Sequence, residues 1–135
     1  MLLGLQKDVD GDFEGIDRKL VRLAGPFVGY AHGFDSGLDG GQFVEVRDLR
    51  TGKLVYRTEN ENLVFVRDLE LAASGFVAWI SDEEDAGRGV YAWSASTGRT
   101  QLDSGSDIKG RSLTLSGTLS WTKGGVMKFY GLPGG

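Results

Sequence analysis

At 135 residues and a formal charge of −4, the chain has the length of one domain, and 15 Lys and Arg against 19 Asp and Glu argue against nucleic acid as a partner. It has no cysteine, which excludes disulfides, zinc–thiolate sites and cysteine nucleophiles. Twenty-two glycines against two prolines, set among short apolar runs with no sustained helical period, predict many strands, tight turns and almost no helix.

Met1-Leu2-Leu3-Gly4-Leu5 is too short and lacks the basic flank of a signal peptide. No apolar run approaches the roughly 18 residues of a membrane span, so membrane insertion is not expected. The next segment, Asp8-Val9-Asp10-Gly11-Asp12-Phe13-Glu14, places Asp8, Asp10 and Asp12 at alternate positions around a glycine. Oxygen ligands spaced this way can wrap a hard cation such as Ca2+. As an EF-hand loop it fails, with Phe13 at the sixth position and Lys19 at the twelfth. It also resembles the calcium loops of integrin-type propeller repeats, in which the last acidic ligand would fall on Ile16, with Asp17 one residue late. The competing reading is a solvated acidic turn.

From residue 19 onward the chain repeats itself. Leu23-Ala24-Gly25-Pro26-Phe27-Val28-Gly29-Tyr30, Leu71-Ala72-Ala73-Ser74-Gly75-Phe76-Val77-Ala78-Trp79 and Leu113-Thr114-Leu115-Ser116-Gly117-Thr118-Leu119-Ser120-Trp121 share one pattern. Their closing aromatics, Tyr30, Trp79 and Trp121, lie 49 and 42 residues apart. Several strands per period in the forties mark the blades of a β-propeller or a related stacked-sheet array. Four strands, a to d, are expected per unit. The first unit has Lys19–Leu23, Phe27–His32, Gln42–Asp48 and Lys53–Thr58; the second has Val66–Leu71, Phe76–Ser81, Gly89–Trp93 and Thr100–Asp103. The third has Arg111–Leu115, Thr118–Thr122 and Val126–Tyr130, with no strand d. The fold class is therefore all-β, a propeller-like array of about three tandem antiparallel sheets, open or partial. As one repeat-built domain over 1–135 it divides into an N-terminal clasp segment (1–18), blade 1 (19–60), blade 2 (63–106) and an incomplete blade 3 (107–133). Leu2–Val9 would supply the clasping strand, and two copies joined into a six-bladed homodimer are the alternative closure.

The b strands, Phe27-Val28-Gly29-Tyr30 and Phe76-Val77-Ala78-Trp79-Ile80, are apolar at consecutive positions, as strands are when both faces of the sheet are covered. Gly29, Ala78 and Ser120 precede the aromatics, so one neighbouring sheet can approach closely while the aromatic fills space on the other face. Asp48-Leu49-Arg50-Thr51-Gly52 and Ser94-Ala95-Ser96-Thr97-Gly98 read as matching hairpin turns. Asp or Ser opens each by bonding backbone N–H two residues on, and a left-handed glycine closes it.

Phe43 to Val55, with Asp48-Leu49-Arg50-Thr51-Gly52 at its centre, resembles the strand and turn of WD40-like propeller blades. The Trp-Asp pair of that pattern is Arg47-Asp48 in the first unit and Trp93-Ser94 in the second, and the Gly-His dipeptide is missing. Val21 to Tyr30, Val46 to Gly52, Leu102 to Gly105 and Leu119 to Gly125 resemble the C-terminal part of uncharacterised bacterial propeller-like proteins of actinobacterial type. That resemblance implies a propeller-like fold and an exported, extracytoplasmic setting, and carries over no functional residues.

The loops joining strands b and c, Gly33–Gly41 and Ser81–Gly89, lie at one end of such an array and form the candidate binding rim, with Asp35, Asp39, Asp82, Glu83, Glu84 and Asp85 as its polar groups. A solvated acidic loop is the plainer reading of the run from Asp82 to Asp85. His32, the lone histidine, reads as a polar cap at a strand end, and the three tryptophans read as core. Arg47, Arg67 and Arg88 are far apart in sequence and form no recognisable phosphate site. No catalytic residue is expected, because no nucleophile is paired with a base. The reading is a non-enzymatic interaction or scaffold module for a protein or small ligand, without a cofactor. A calcium-stabilised structural repeat using Asp8, Asp10 and Asp12, and a glycan-processing or lactonase-like enzyme using carboxylates at the propeller end, are the alternatives.

Overall fold

The computed structural model describes residues 20–33, 42–58, 63–83 and 87–132. Eleven strands and no α-helix occur among them. The first sheet is formed by β1 (Arg22–Ala24), β2 (Phe27–Gly33), β3 (Gln42–Asp48) and β4 (Leu54–Arg57). The central sheet is formed by β5 (Leu63–Leu71), β6 (Val77–Glu83), β7 (Gly87–Ser94) and β8 (Gly98–Ser104). The third has β9 (Thr114–Leu115), β10 (Thr118–Lys123) and β11 (Val126–Gly131). Each is an antiparallel meander in chain order. None closes into a barrel, and the described residues form no closed propeller ring.

The pleat explains how one sheet serves two neighbours, since successive residues of a strand point to opposite faces. On β6, Val77 and Trp79 enter one core with Ala31, Val44 and Val46 of the first sheet. Phe76, just before β6, and Ala78 and Ile80 on it enter a second core with Ile108, Leu113, Leu119 and Trp121. On β7, Tyr91 belongs to the first core, and Val90 and Ala92 to the second. Trp79 and Ile80 are both fully buried. A buried side chain of this kind stabilises by about 1.5–3 kcal/mol over its exposed form, so both layers of contact hold the stack. Ring contacts cross each gap: Tyr56 stacks on Trp93 at 4.5 Å, and Phe76 on Tyr130 at 6.4 Å.

The expected role of the small residue before each aromatic is visible at Gly29. A Cβ placed there would meet the Leu71 side chain of the central sheet at 3.5 Å. The two hairpin turns also form as expected, with Gly52 and Gly98 at φ of 76° and 74°. Asp48 Oδ1 accepts from the Arg50 N–H two residues on, whereas Ser94 Oγ accepts from Thr97, three residues on, and bonds its hydroxyl as well.

All three a strands differ from expectation, the second by starting three residues earlier, at Leu63. The first is Arg22–Ala24 and leaves Leu20 outside it, buried in the core between the first and central sheets. The third shrinks from Arg111–Leu115 to Thr114–Leu115. Local bonds account for this: Ser112 Oγ donates to the Lys109 carbonyl and accepts from Thr122 N–H, and Leu113 N–H donates to the Asp68 carboxylate of β5. These bonds bend residues 109–113 into a turn held against the central sheet. The clasp segment 1–18 lies outside the described residues.

Candidate functional site

Asp82, the next-to-last residue of β6, lies directly across from Phe65 on β5 and Arg88 on β7. The register of β5 shifts between Val66 and Asp68, which leaves Arg67 as the extra residue of a bulge. Bulges re-aim a side chain, and they recur beside functional sites. Here Arg67 reaches Asp82, with Nε and Nη2 donating to Oδ2 at 2.9 and 2.7 Å. Arg88 approaches the same carboxylate from the other side, its Nε donating to Oδ1 at 2.8 Å. Burial opposes ionisation of Asp82, but hydrogen bonds from the two arginines outweigh it and hold its carboxyl below the usual range.

A third segment completes the site. Ile108 is buried in the core between the central and third sheets, and its carbonyl accepts from Arg88 Nη1 at 3.0 Å. Lys109 N–H donates to the Thr122 carbonyl, and Gly105 N–H to that of Arg88. Lys109, Gly110 and Arg111 are thereby carried on a fixed backbone past the ends of β5 and β7. Together with Phe65, Arg67 and Arg88 they line a recess of roughly 490 Å³. Gly110 sits over both arginines; a Cβ there would lie 3.5 Å from Arg88 Nη1 and 3.6 Å from Arg67 Cβ. The Arg67 guanidinium covers the Phe65 ring at 4.5 Å, and that ring remains about half exposed. In a chain of net charge −4, four cations line this one recess, and two of them, Arg67 and Arg88, share the Asp82 carboxylate.

This corrects the expectation for two of the three arginines regarded as scattered: Arg67 and Arg88 share one carboxylate. Arg47 lies elsewhere, on the first sheet, where its Nε donates to the Tyr30 hydroxyl. That hydroxyl in turn donates to Glu45 Oε1 at 2.7 Å, and Arg57 holds Glu45 Oε2. Glu45 is buried, so this network is a closed one.

Of the predicted rim residues, Asp82 and Glu83 are described. Asp82 is the anchor of the recess, and Glu83 accepts from Arg99 at 3.3 Å. The other four, Asp35, Asp39, Glu84 and Asp85, lie outside the described residues, as do Asp8, Asp10 and Asp12. No group of three or more metal-ligating side chains is gathered among the described residues. The His32 backbone pairs with Phe43 across β2 and β3. Trp79 and Trp121 are core residues, and Trp93 is half-buried against Tyr56. No helix among the described residues is long and apolar enough to cross a membrane.

The four lining cations escaped sequence reasoning because a bulge, a hairpin and an inter-sheet connection bring them together. One signal was present: Lys109-Gly110-Arg111 is a local basic triplet in an acidic chain. No family model, curated protein or solved structure matches the chain.

Proposed function

We propose that the chain is a non-enzymatic, propeller-type interaction module whose three sheets act as successive open blades and whose ligand surface is built by Phe65–Arg67, Asp82, Arg88 and Lys109–Arg111. The blade reading is supported by a repeated orientation. Trp79 of the central sheet turns toward the first sheet, Trp121 of the third turns toward the central, and Gly29 opens the opposite face of its own sheet to Leu71. The binding reading is carried by the lining of the recess, in which four cationic donors come from three segments and two of them, Arg67 and Arg88, are held by Asp82. Guanidinium groups remain protonated at all ordinary pH, so they hold a ligand without taking a proton from it.

The test is a panel of peptides, glycans and small anions titrated into isotope-labelled protein and followed by two-dimensional NMR. The expected result is a ligand that perturbs residues 65–67, 82, 88 and 109–111 and is recovered chemically unchanged. Consumption of a ligand would overturn the non-enzymatic reading, and perturbations confined to other surfaces would overturn the location.

A further inference from the structure

We infer that the recess takes a small organic phosphate, with the phosphate group held among Arg67, Arg88, Lys109 and Arg111 and the organic part against Phe65. This rests on the proposed interaction module and names the ligand class of the same site.

Two of the donors, Arg67 and Arg88, are fixed, and all four side chains are available. Arg67 uses Nε and Nη2 on Asp82, which leaves Nη1 without a protein acceptor. Arg88 uses Nε on Asp82 and one Nη1 hydrogen on the Ile108 carbonyl, with Nη2 at 3.4 Å from Asp82 Oδ2; each terminal nitrogen keeps a second hydrogen. Asp82 therefore holds two guanidiniums in place rather than consuming them. Lys109 and Arg111 are exposed and form no ion pair among the described residues. Asp68 attracts Arg111 from the flank, but its own oxygens accept from Leu69 and Leu113 N–H.

The arrangement favours a tetrahedral oxyanion. Its donors come from three separate segments, β5, β7 and residues 109–111, rather than from one strand. A planar carboxylate offers two oxygens to such a set; a phosphate offers three or four. The volume of roughly 490 Å³ exceeds what a bare phosphate fills and falls among small-molecule sites of about 300–1,000 Å³. Phe65 supplies an apolar wall beside the charged end. One recess of this size, in a chain with an acidic balance, suits a small phosphorylated molecule better than a long polyanion.

Inorganic pyrophosphate and glucose 6-phosphate are the probes, titrated at low salt with citrate as the carboxylate comparison. Both phosphates are expected to perturb the amides of residues 109–111 and the Nε signals of Arg67 and Arg88. The double variant Lys109→Glu/Arg111→Glu, at exposed positions where folding should survive, is expected to weaken both by at least about tenfold. The variant Lys53→Glu/Lys128→Glu makes the same change of charge away from the recess and is expected to alter affinity by less than about twofold. Equal losses in the two variants, or citrate binding as tightly as pyrophosphate, would overturn the proposal. So would phosphates that leave the recess signals unmoved. If that happens while a peptide or glycan still perturbs the proposed ligand surface, the phosphate assignment falls and the interaction module stands.

Discussion

The Trp121 indole Nε1 donates to Asp103 Oδ2 at 2.8 Å, a bond that runs from the middle strand of the third sheet to the last strand of the central one. It is one of several directional links, with Lys123 Nζ to Asp103 and Leu113 N–H to Asp68, around an apolar core. Trp79, the matching aromatic one repeat earlier, has no partner for its buried Nε1 among the described residues. Aligning the two hairpin glycines, Gly52 and Gly98, puts Arg57 where Asp103 stands. Arg57 carries donors only, which explains the orphaned indole.

Asp103→Ala should leave the Trp121 N–H unsatisfied and lower stability by about 1–3 kcal/mol. Asp103→Asn keeps an acceptor oxygen and should cost less. Urea unfolding measures both, and an Asp103→Ala protein as stable as the parent would show that the bond contributes nothing.

Gly29 offers a graded test of how closely the first two sheets approach. A Cβ at this position meets Leu71 at an ordinary 3.5 Å, and the residue is not in the left-handed region. Gly29→Ala is expected to be neutral or stabilising by up to about 1 kcal/mol through lost freedom in the unfolded chain. Gly29→Leu would overpack the gap and should cost about 1–3 kcal/mol. A thermal melt that ranks the two in the opposite order would refute this account of the interface.

Acid should weaken the recess from inside. The folded carboxyl of Asp82 lies below its unfolded value of about 3.9, so its contribution is present above that pH and is lost as pH falls through the lower folded value. Asp103 follows the same sign: burial opposes its ionisation, but bonds from Trp121, Ser104 N–H and Lys123 prevail. Stability measured from pH 6 to pH 2 should decline at the acid end, and less steeply in Asp82→Asn. Identical slopes in the two proteins would count against Asp82 as the anchor.

Alkali acts on different residues. Burial, reinforced by Glu45, pushes the Tyr30 hydroxyl up to about 12, and burial with Glu83 does the same for Tyr91. Both phenols ionise more readily in the unfolded chain, at about 10, so the stability they contribute is intact below that pH and is lost as pH rises toward 12. Ultraviolet titration should show late ionisation of these tyrosines, and Tyr30→Phe should reduce the alkaline dependence of stability. Ordinary titration of every tyrosine would contradict the burial of Tyr30 and Tyr91.

Much of the fold is readable in the chain because its cause is local. Gln42–Asp48 was bounded by composition alone and forms over those same residues as β3. Consecutive apolar residues on β6 announced two covered faces, and Val77, Trp79, Ala78 and Ile80 divide between two cores accordingly. The site was less legible. Attention fell on the acidic run after Ser81, whereas the recess takes its character from cations up to 44 positions apart, Arg67 and Arg111. A one-residue bulge decides where Arg67 points, and alternation of side chains along a strand carries no trace of it. The shortening of the third a strand has a similar source, because Asp68 captures the Leu113 N–H from 45 residues away.

Each meander is drawn from one uninterrupted stretch, and only a single pass of backbone links it to the next. Hairpin zippering inside a stretch can therefore finish before the layers dock, which keeps the early steps of folding short-range and fast. The same wiring makes the architecture extensible in evolution. Duplicating one stretch of the gene would add a layer without rethreading any strand, and the newcomer would need only a bulky ring on one side and a small residue on the other.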